Sequence, residues 1–306
     1  MNTPQYTKST WLQSGPTWFY ANGEKNHMTN SNLRKKTTTH GNDSFGPYTS
    51  TELAYTVAAA GRSSTSDSDA LLQVSTIFKE YTDGSAVEFE QVWTSGATNT
   101  NASSDPSSTI SSFPSFKLQA ATGAPPLGVM GWLGTFIDDS TSGPAMSTWP
   151  AGLAAVGKAG GANVLFDMTQ AAAGDAVVLS ASSQFMSHVM AANLSEPDFL
   201  MVGMLGTVKE IPAGFKTSTM LYHGKNGVNN VMTSFGTALR QRFNKPDGRA
   251  SDYQVTHLGF NTDHGAYYYY KTEAGKDYYQ TLLDVKARAK IPLSNQESAR
   301  GHRWMR

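Results

Sequence analysis

The chain has 306 residues and no cysteine, which allows one large domain or two ordinary ones and excludes disulfides, thiolate zinc sites and cysteine nucleophiles. Lys+Arg and Asp+Glu both total 24, so the formal net charge is zero, which argues against a broad nucleic-acid surface. Only 16% of residues are charged, and Ser, Thr, Gly and Asn are plentiful, a composition that favours a turn-rich β architecture over helical bundles.

Residues 1–40 show no sustained period and read as an irregular segment, with Lys35-Lys36 and Thr37-Thr38-Thr39 in a loop. The start of the chain is polar and lacks the basic stretch and apolar core of a signal peptide. No apolar run reaches the ~18 residues of a membrane span. The compartment stays open, and the sequons at Asn42, Asn101 and Asn193 are near chance for such a composition. Gly41 to Tyr48 is turn chemistry, and a first strand is expected over 51–57. The clearest hairpin covers 69–93. Leu72, Val74, Thr76 and Phe78 alternate on one strand, Asp83-Gly84 marks the turn, and Val87, Phe89 and Trp93 alternate on the return. The Ser/Thr/Asn tract over 94–112 reads as an exposed loop.

Candidate strands then follow over 128–136, 163–167, 176–180, 199–206 and 208–211, with a tight turn at Gly174-Asp175. Short strands at this spacing predict a large antiparallel β-sandwich over 41–222. The pattern changes over 223–250, where Val228, Met232, Phe235, Leu239 and Phe243 recur at three and four residues, the stripe of a linker helix. A short buried strand is expected over 255–260 and a second helix over 277–290, with Tyr278, Leu282, Val285 and Ala289 on one side. Residues 251–291 thus read as one βα unit, whereas a parallel sheet needs several. The tail 292–306 has no apolar period, and disorder is expected there.

The chemistry is concentrated in His257-Leu258-Gly259-Phe260-Asn261-Thr262-Asp263-His264-Gly265-Ala266-Tyr267-Tyr268-Tyr269-Tyr270. Asp263 lies just past a strand end, where βα architectures place ligand-binding groups. A carboxylate can accept hydrogen bonds from vicinal hydroxyls, and tyrosine rings can stack on the apolar face of a pyranose. Asp263 could equally start an Asx-turn before Gly265, and the tyrosines could be packing residues. His257 and His264 lack a third ligand at a recognised spacing, His223 being distant, so no metal is expected. Trp132, between Gly131 and Leu133, and Trp149 could be sugar platforms or ordinary core aromatics. No nucleophile elbow, phosphate loop or dinucleotide fingerprint occurs, and no cofactor is expected. Glycoside cleavage requires two carboxylates, and nothing in the sequence pairs Asp138 or Asp139 with Asp263.

The stretch 258–270, together with Gln280-Thr281-Leu282-Leu283-Asp284-Val285-Lys286, resembles glycoside hydrolases of the α-galactosidase, raffinose-synthase and α-glucosidase kind. Weaker matches lie in Val87-Glu88-Phe89-Glu90-Gln91, Phe113-Pro114-Ser115-Phe116 and Val177-Val178-Leu179-Ser180. The resemblance implies a mainly β protein, with a β-supersandwich followed by a linker helix and one βα unit of an incomplete (β/α)8 barrel. It implies a carbohydrate ligand, with Asp263, His264, Tyr267, Tyr268 and Trp132 as substrate-binding residues. In such enzymes both catalytic carboxylates come from later barrel strands. Residues 293–306 do not continue the pattern, so a truncated form without catalytic residues is expected. The alternative is a non-catalytic carbohydrate-binding or partner-binding β-sandwich module.

Overall fold

The hairpin built on Asp83-Gly84 lies inside the largest sheet of a mainly β protein. The structure, a computed structural model, describes residues 11–58, 71–103, 108–117, 123–132, 144–149, 162–192, 199–257 and 272–288. The chain divides into two compact units, Met1–Pro246 and Asp247–Arg306.

The first unit contains, in chain order, β1 (Trp18–Ala21), β2 (Glu24–His27), β3 (Leu33–Asp43), β4 (Gly46–Ala58), β5 (Leu71–Tyr81), β6 (Ala86–Trp93), β7 (Ala97–Thr98), β8 (Ser111–Ser112) and β9 (Ser115–Lys117). There follow β10 (Leu127–Trp132), β11 (Pro144–Thr148), β12 (Asn163–Asp167), β13 (Ala176–Ala181), β14 (His188–Ala192), β15 (Phe199–Met204), β16 (Glu210–Ile211), β17 (Phe215–Gly224) and the helix α1 (Gly227–Arg242). Nine strands make one sheet in the order β11-β10-β12-β13-β17-β6-β5-β4-β3, and every pairing in it is antiparallel.

Alternation along the central strands gives this sheet two different faces. On the inner face Phe78, Val87, Phe89, Leu165, Leu179 and Leu221 pack with Met190, Leu200, Val202 and Phe116 of the small sheet β14-β15-β9. Phe78, Phe89 and Phe113 meet edge to face at 5.1–5.8 Å, the favoured arrangement for rings. Further along the same face Val74 and Trp93 pack with Phe19 of β1 and Ile110. On the outer face Val164, Phe166, Val178 and Met220 are covered by α1 through Val231 and Phe235. The expected stripe of α1 holds for Val228, Met232, Phe235 and Leu239, while Phe243 caps the helix and is half exposed against Phe185. Gly227 starts α1 at φ 84, with the Ala172 carbonyl where a β-carbon would stand, so glycine is required there.

Three expectations need correction. The segment 1–40 is not irregular where described: it holds β1, β2 and most of the edge strand β3, and the expected loop at Lys35 to Thr39 lies in β3, paired with β4. The Arg, Lys and Thr side chains of β3 hide it from an apolar-period reading, because edge strands carry polar residues on both faces. The tract after Trp93 is exposed only in part: Thr94, Ser95, Thr98, Asn99, Asn101 and Ala102 are exposed, whereas Thr100, Thr109, Ser111 and Ser112 are buried. Three of the buried hydroxyls donate to backbone carbonyls, Thr100 to Val208, Thr109 to Ser111 and Ser112 to Pro16, each at 2.6 Å, and that of Ser111 accepts the Met204 N–H at 3.3 Å. The expected strand over 255–260 begins in a helical turn, α2 (Tyr253–Thr256), and Val255 is 62% exposed. Asp252 caps that turn by accepting the Gln254 N–H at 2.8 Å, a local signal stronger than the short apolar run.

The second unit holds α2 and α3 (Tyr278–Arg288), the second expected helix, with Thr281 and Leu282 as its buried residues. Tyr278 of the expected stripe is exposed. Lys276 bridges Glu273 and Asp284 beside this helix, and Arg288 reaches Glu273 at 3.0 Å. No helix among the described residues is long and apolar enough to cross a membrane. The tail 292–306 lies outside the described residues.

Helix α1 supplies a paired test of the packing. Phe235→Ala should cost ~3–5 kcal/mol in urea unfolding, because it empties the outer-face core. Gly236→Ala, at an exposed helix position with nothing near the added carbon, should add ~0.5–1 kcal/mol. A Phe235→Ala loss below ~1 kcal/mol would mean that α1 does not cover this face.

Candidate functional site

Asp263, His264, Tyr267 and Tyr268 all lie outside the described residues. Trp132 ends β10, its backbone paired with Pro144 of β11 at the sheet edge. Trp149 is 7% exposed inside the inner-face core, and its indole Nε1 has no hydrogen-bond partner among the described residues, which makes it a packing residue rather than a sugar platform. His264 lies outside the described residues, and His223 and His257 each have local partners. His223 sits 3.7 Å from Asp175, and His257 stacks on Tyr253 with 3.7 Å between centroids. Among the described residues no group of three His, Asp or Glu side chains could hold a metal ion.

The main polar constellation in the first unit was not singled out from sequence. It lies on the outer face of the main sheet, at the C-terminal end of α1. Strand β6 turns Val87, Phe89, Gln91 and Trp93 inward, so the intervening Glu88 and Glu90 face outward. Both carboxylates are buried, Glu88 completely. Glu88 Oε1 accepts from Arg242 Nη2 at 2.6 Å and from the Ser182 hydroxyl at 2.7 Å. Glu90 Oε1 accepts from Lys216 Nζ at 2.8 Å. Lys79, opposite Glu88 on β5, stands 3.6 Å from Glu88 Oε2 and 3.7 Å from Glu90 Oε1. Its ammonium donates to Asp43 at 3.2 Å and lies 4.5 Å from the centre of the Tyr48 ring.

Asp43 ends β3 and receives three donors: the Phe45 N–H, the Tyr81 hydroxyl and Lys79, at 2.9, 2.9 and 3.2 Å. Burial alone would raise its carboxyl, but these donors outweigh it and hold the group below the ordinary carboxylate range. Burial would lower the Lys79 ammonium, yet Glu90, Glu88 and Asp43 hold it above its usual value. Arg242 behaves likewise, with Glu88 overcoming burial. The Tyr81 hydroxyl is raised, first by burial and then by the negative charge of Glu88 and Asp43.

Three acids and three bases compensate one another here, and Phe45, Tyr48 and Tyr81 pack around them with centroids 5.5–5.8 Å apart. A glycosidase pair needs carboxylates open to a substrate on both sides of the scissile bond. Glu88 and Glu90 are instead buried, with Glu88 Oε1 on Arg242 and Ser182, Glu90 Oε1 on Lys216, and Glu88 Oε2, without a hydrogen bond among the described residues, 3.6 Å from Lys79, so they join the β3–β4 hairpin, the sheet and the end of α1. One hint was visible: Lys79 and Glu88 must meet once Asp83-Gly84 closes the hairpin. Arg242 comes from a distant helix, and no local pattern announces it.

No model of a known protein family matches this sequence, and no curated protein matches it.

Removing one member of the cluster should be severe. Glu88→Gln should cost ~3–5 kcal/mol in urea unfolding, because Arg242 is left without its counter-charge. Asp43→Asn should cost ~1–2 kcal/mol at neutral pH. Because the folded Asp43 carboxyl is depressed, its contribution is present above the ordinary value of 3.8 and is lost as pH falls through its folded value. The difference between Asp43→Asn and the native protein should therefore close in strong acid. A difference that stays constant on acidification would contradict this role for Asp43.

Proposed function

We propose that this is a glycoside-hydrolase-like protein that binds carbohydrate without cleaving it, with the 258–270 stretch contributing to the sugar site. The observation that supports this reading is the order of parts along the chain. A large antiparallel β unit comes first, α1 follows, and a separate second unit carries Asp263, His264, Tyr267 and Tyr268 ahead of α3. That is the order implied by the resemblance to the α-galactosidase and α-glucosidase kind.

In this reading Asp263 accepts hydrogen bonds from sugar hydroxyls, and Tyr267 and Tyr268 offer rings and phenolic hydroxyls to the pyranose. Trp132 is a further platform at the end of β10. The buried acids Glu88 and Glu90 have no part in cleavage, since Arg242, Lys216 and Lys79 already engage them. This observation favours the binding reading over a complete small hydrolase using acids of the sheet.

Calorimetric titration with α-galactosides and α-glucosides tests the proposal. Binding is expected, weakened ~10-fold or more by Tyr268→Ala and by Asp263→Asn, which corresponds to about 1.4 kcal/mol. The same protein should not hydrolyse aryl α-galactosides or α-glucosides. Hydrolysis abolished by Asp263→Asn would overturn the non-catalytic part, and absence of binding to any glycan would overturn the carbohydrate part.

A further inference from the structure

The inner face of the main sheet is not uniformly apolar. Thr76, Gln91 and Thr217 stand side by side across β5, β6 and β17, and all three are buried. This polar row separates the core around Phe78 and Phe89 from the core around Val74 and Trp93. Beside it on β17 is Thr219, paired with Phe89. Thr219 meets His188 of the facing strand β14, Nε2 to Oγ1 at 2.8 Å. The ring is 3% exposed, and its Nδ1 has no hydrogen-bond partner among the described residues.

Among the described residues nothing packed against His188 offsets a positive charge. Across the small sheet it faces Met204 of β15, and neither β15 nor β13 carries a charged residue. On β17 the titratable groups are Lys216, bonded to Glu90, Tyr222, packed with Phe235, and His223, beside Asp175. On β6 they are Glu88 and Glu90, on the opposite face with Arg242, Lys79 and Lys216. Burial pushes the imidazole down to about 4.

We propose that His188 is an acid-sensitive joint between the β14–β15 layer and the main sheet, whose protonation loosens the packing of that layer. The ring fits the interface only when neutral, because a second N–H at Nδ1 would have no acceptor and the added charge no counter-ion. The folded group titrates below the ordinary 6.5. As pH falls, the loosened chain therefore takes up the proton first. The stabilisation is complete above that ordinary value and is lost progressively as pH falls towards the folded value. Between pH 7 and pH 5 the opening equilibrium should shift about 20-fold from this group alone.

Urea unfolding of the native protein and of His188→Gln at pH 7 and pH 5 tests this. The native protein should lose about 20-fold more in its folding equilibrium than the variant over that interval. Amide exchange, corrected for intrinsic rates, should show the acid-dependent opening in β14 and β15. If His188→Gln does not fold, imidazole NMR of the native protein decides: one of the seven histidines should stay neutral down to pH 5. Equal pH dependence of the two proteins would overturn the proposal. So would titration of all seven rings near 6.5 in the folded state.

Discussion

Strand β6 is buried on both faces, and the fold depends on how those two faces are satisfied. Inward, Phe89 and Trp93 join two apolar cores. Outward, two carboxylates stand where water is excluded. A buried carboxylate without partners is prohibitively costly. The sheet can close over Glu88 and Glu90 only when Lys79, Lys216 and Arg242 arrive with their charges. That requirement ties together β5, β17 and the end of α1, elements far apart in sequence.

The same requirement limits what the acids can do. A general acid or base must exchange a proton with a bound molecule, so at least one of its oxygens must be free to meet that molecule. Glu88 Oε1 is shared by Arg242 and Ser182, and its Oε2, without a hydrogen bond among the described residues, is buried 3.6 Å from Lys79, so burial keeps a substrate from it. Buried ion pairs of this kind contribute little net stability but are costly to break, and they favour one arrangement of the chain over others. The cluster is best understood as the device that fixes where α1 ends, and with it the point at which the chain leaves the first unit near Pro246.

Much of the β architecture was legible because its signals are local. Leu72 to Phe78 and Val87 to Trp93 alternate around a glycine turn, and Asn163 to Asp167 was bounded correctly by its apolar run. Helix α1 was legible from the spacing of Val228, Met232, Phe235 and Leu239. The failures share a cause. Strand β3 is polar on both sides, and the buried Thr109, Ser111 and Ser112 look like loop residues until their backbone partners are known, carbonyls for Thr109 and Ser112 and the Met204 N–H for Ser111. Val255 was claimed for a strand by its neighbours, whereas the Asp252 cap turned it into helix. Arg242 could not be matched to Glu88, because the match exists only after the sheet has formed. Of the candidate site, Trp149 could be resolved as core, whereas 258–270 carries its signal in residue type alone.

The β unit is held by internal charge compensation, and under the proposed function carbohydrate would meet the later stretch 258–270. Hydrogen–deuterium exchange with and without a saturating α-galactoside or α-glucoside tests that division most directly. Protection is predicted over 258–270, with none over Lys79, Glu88, Glu90 or the end of α1. Protection confined to the charge cluster, with 258–270 unchanged, would contradict it.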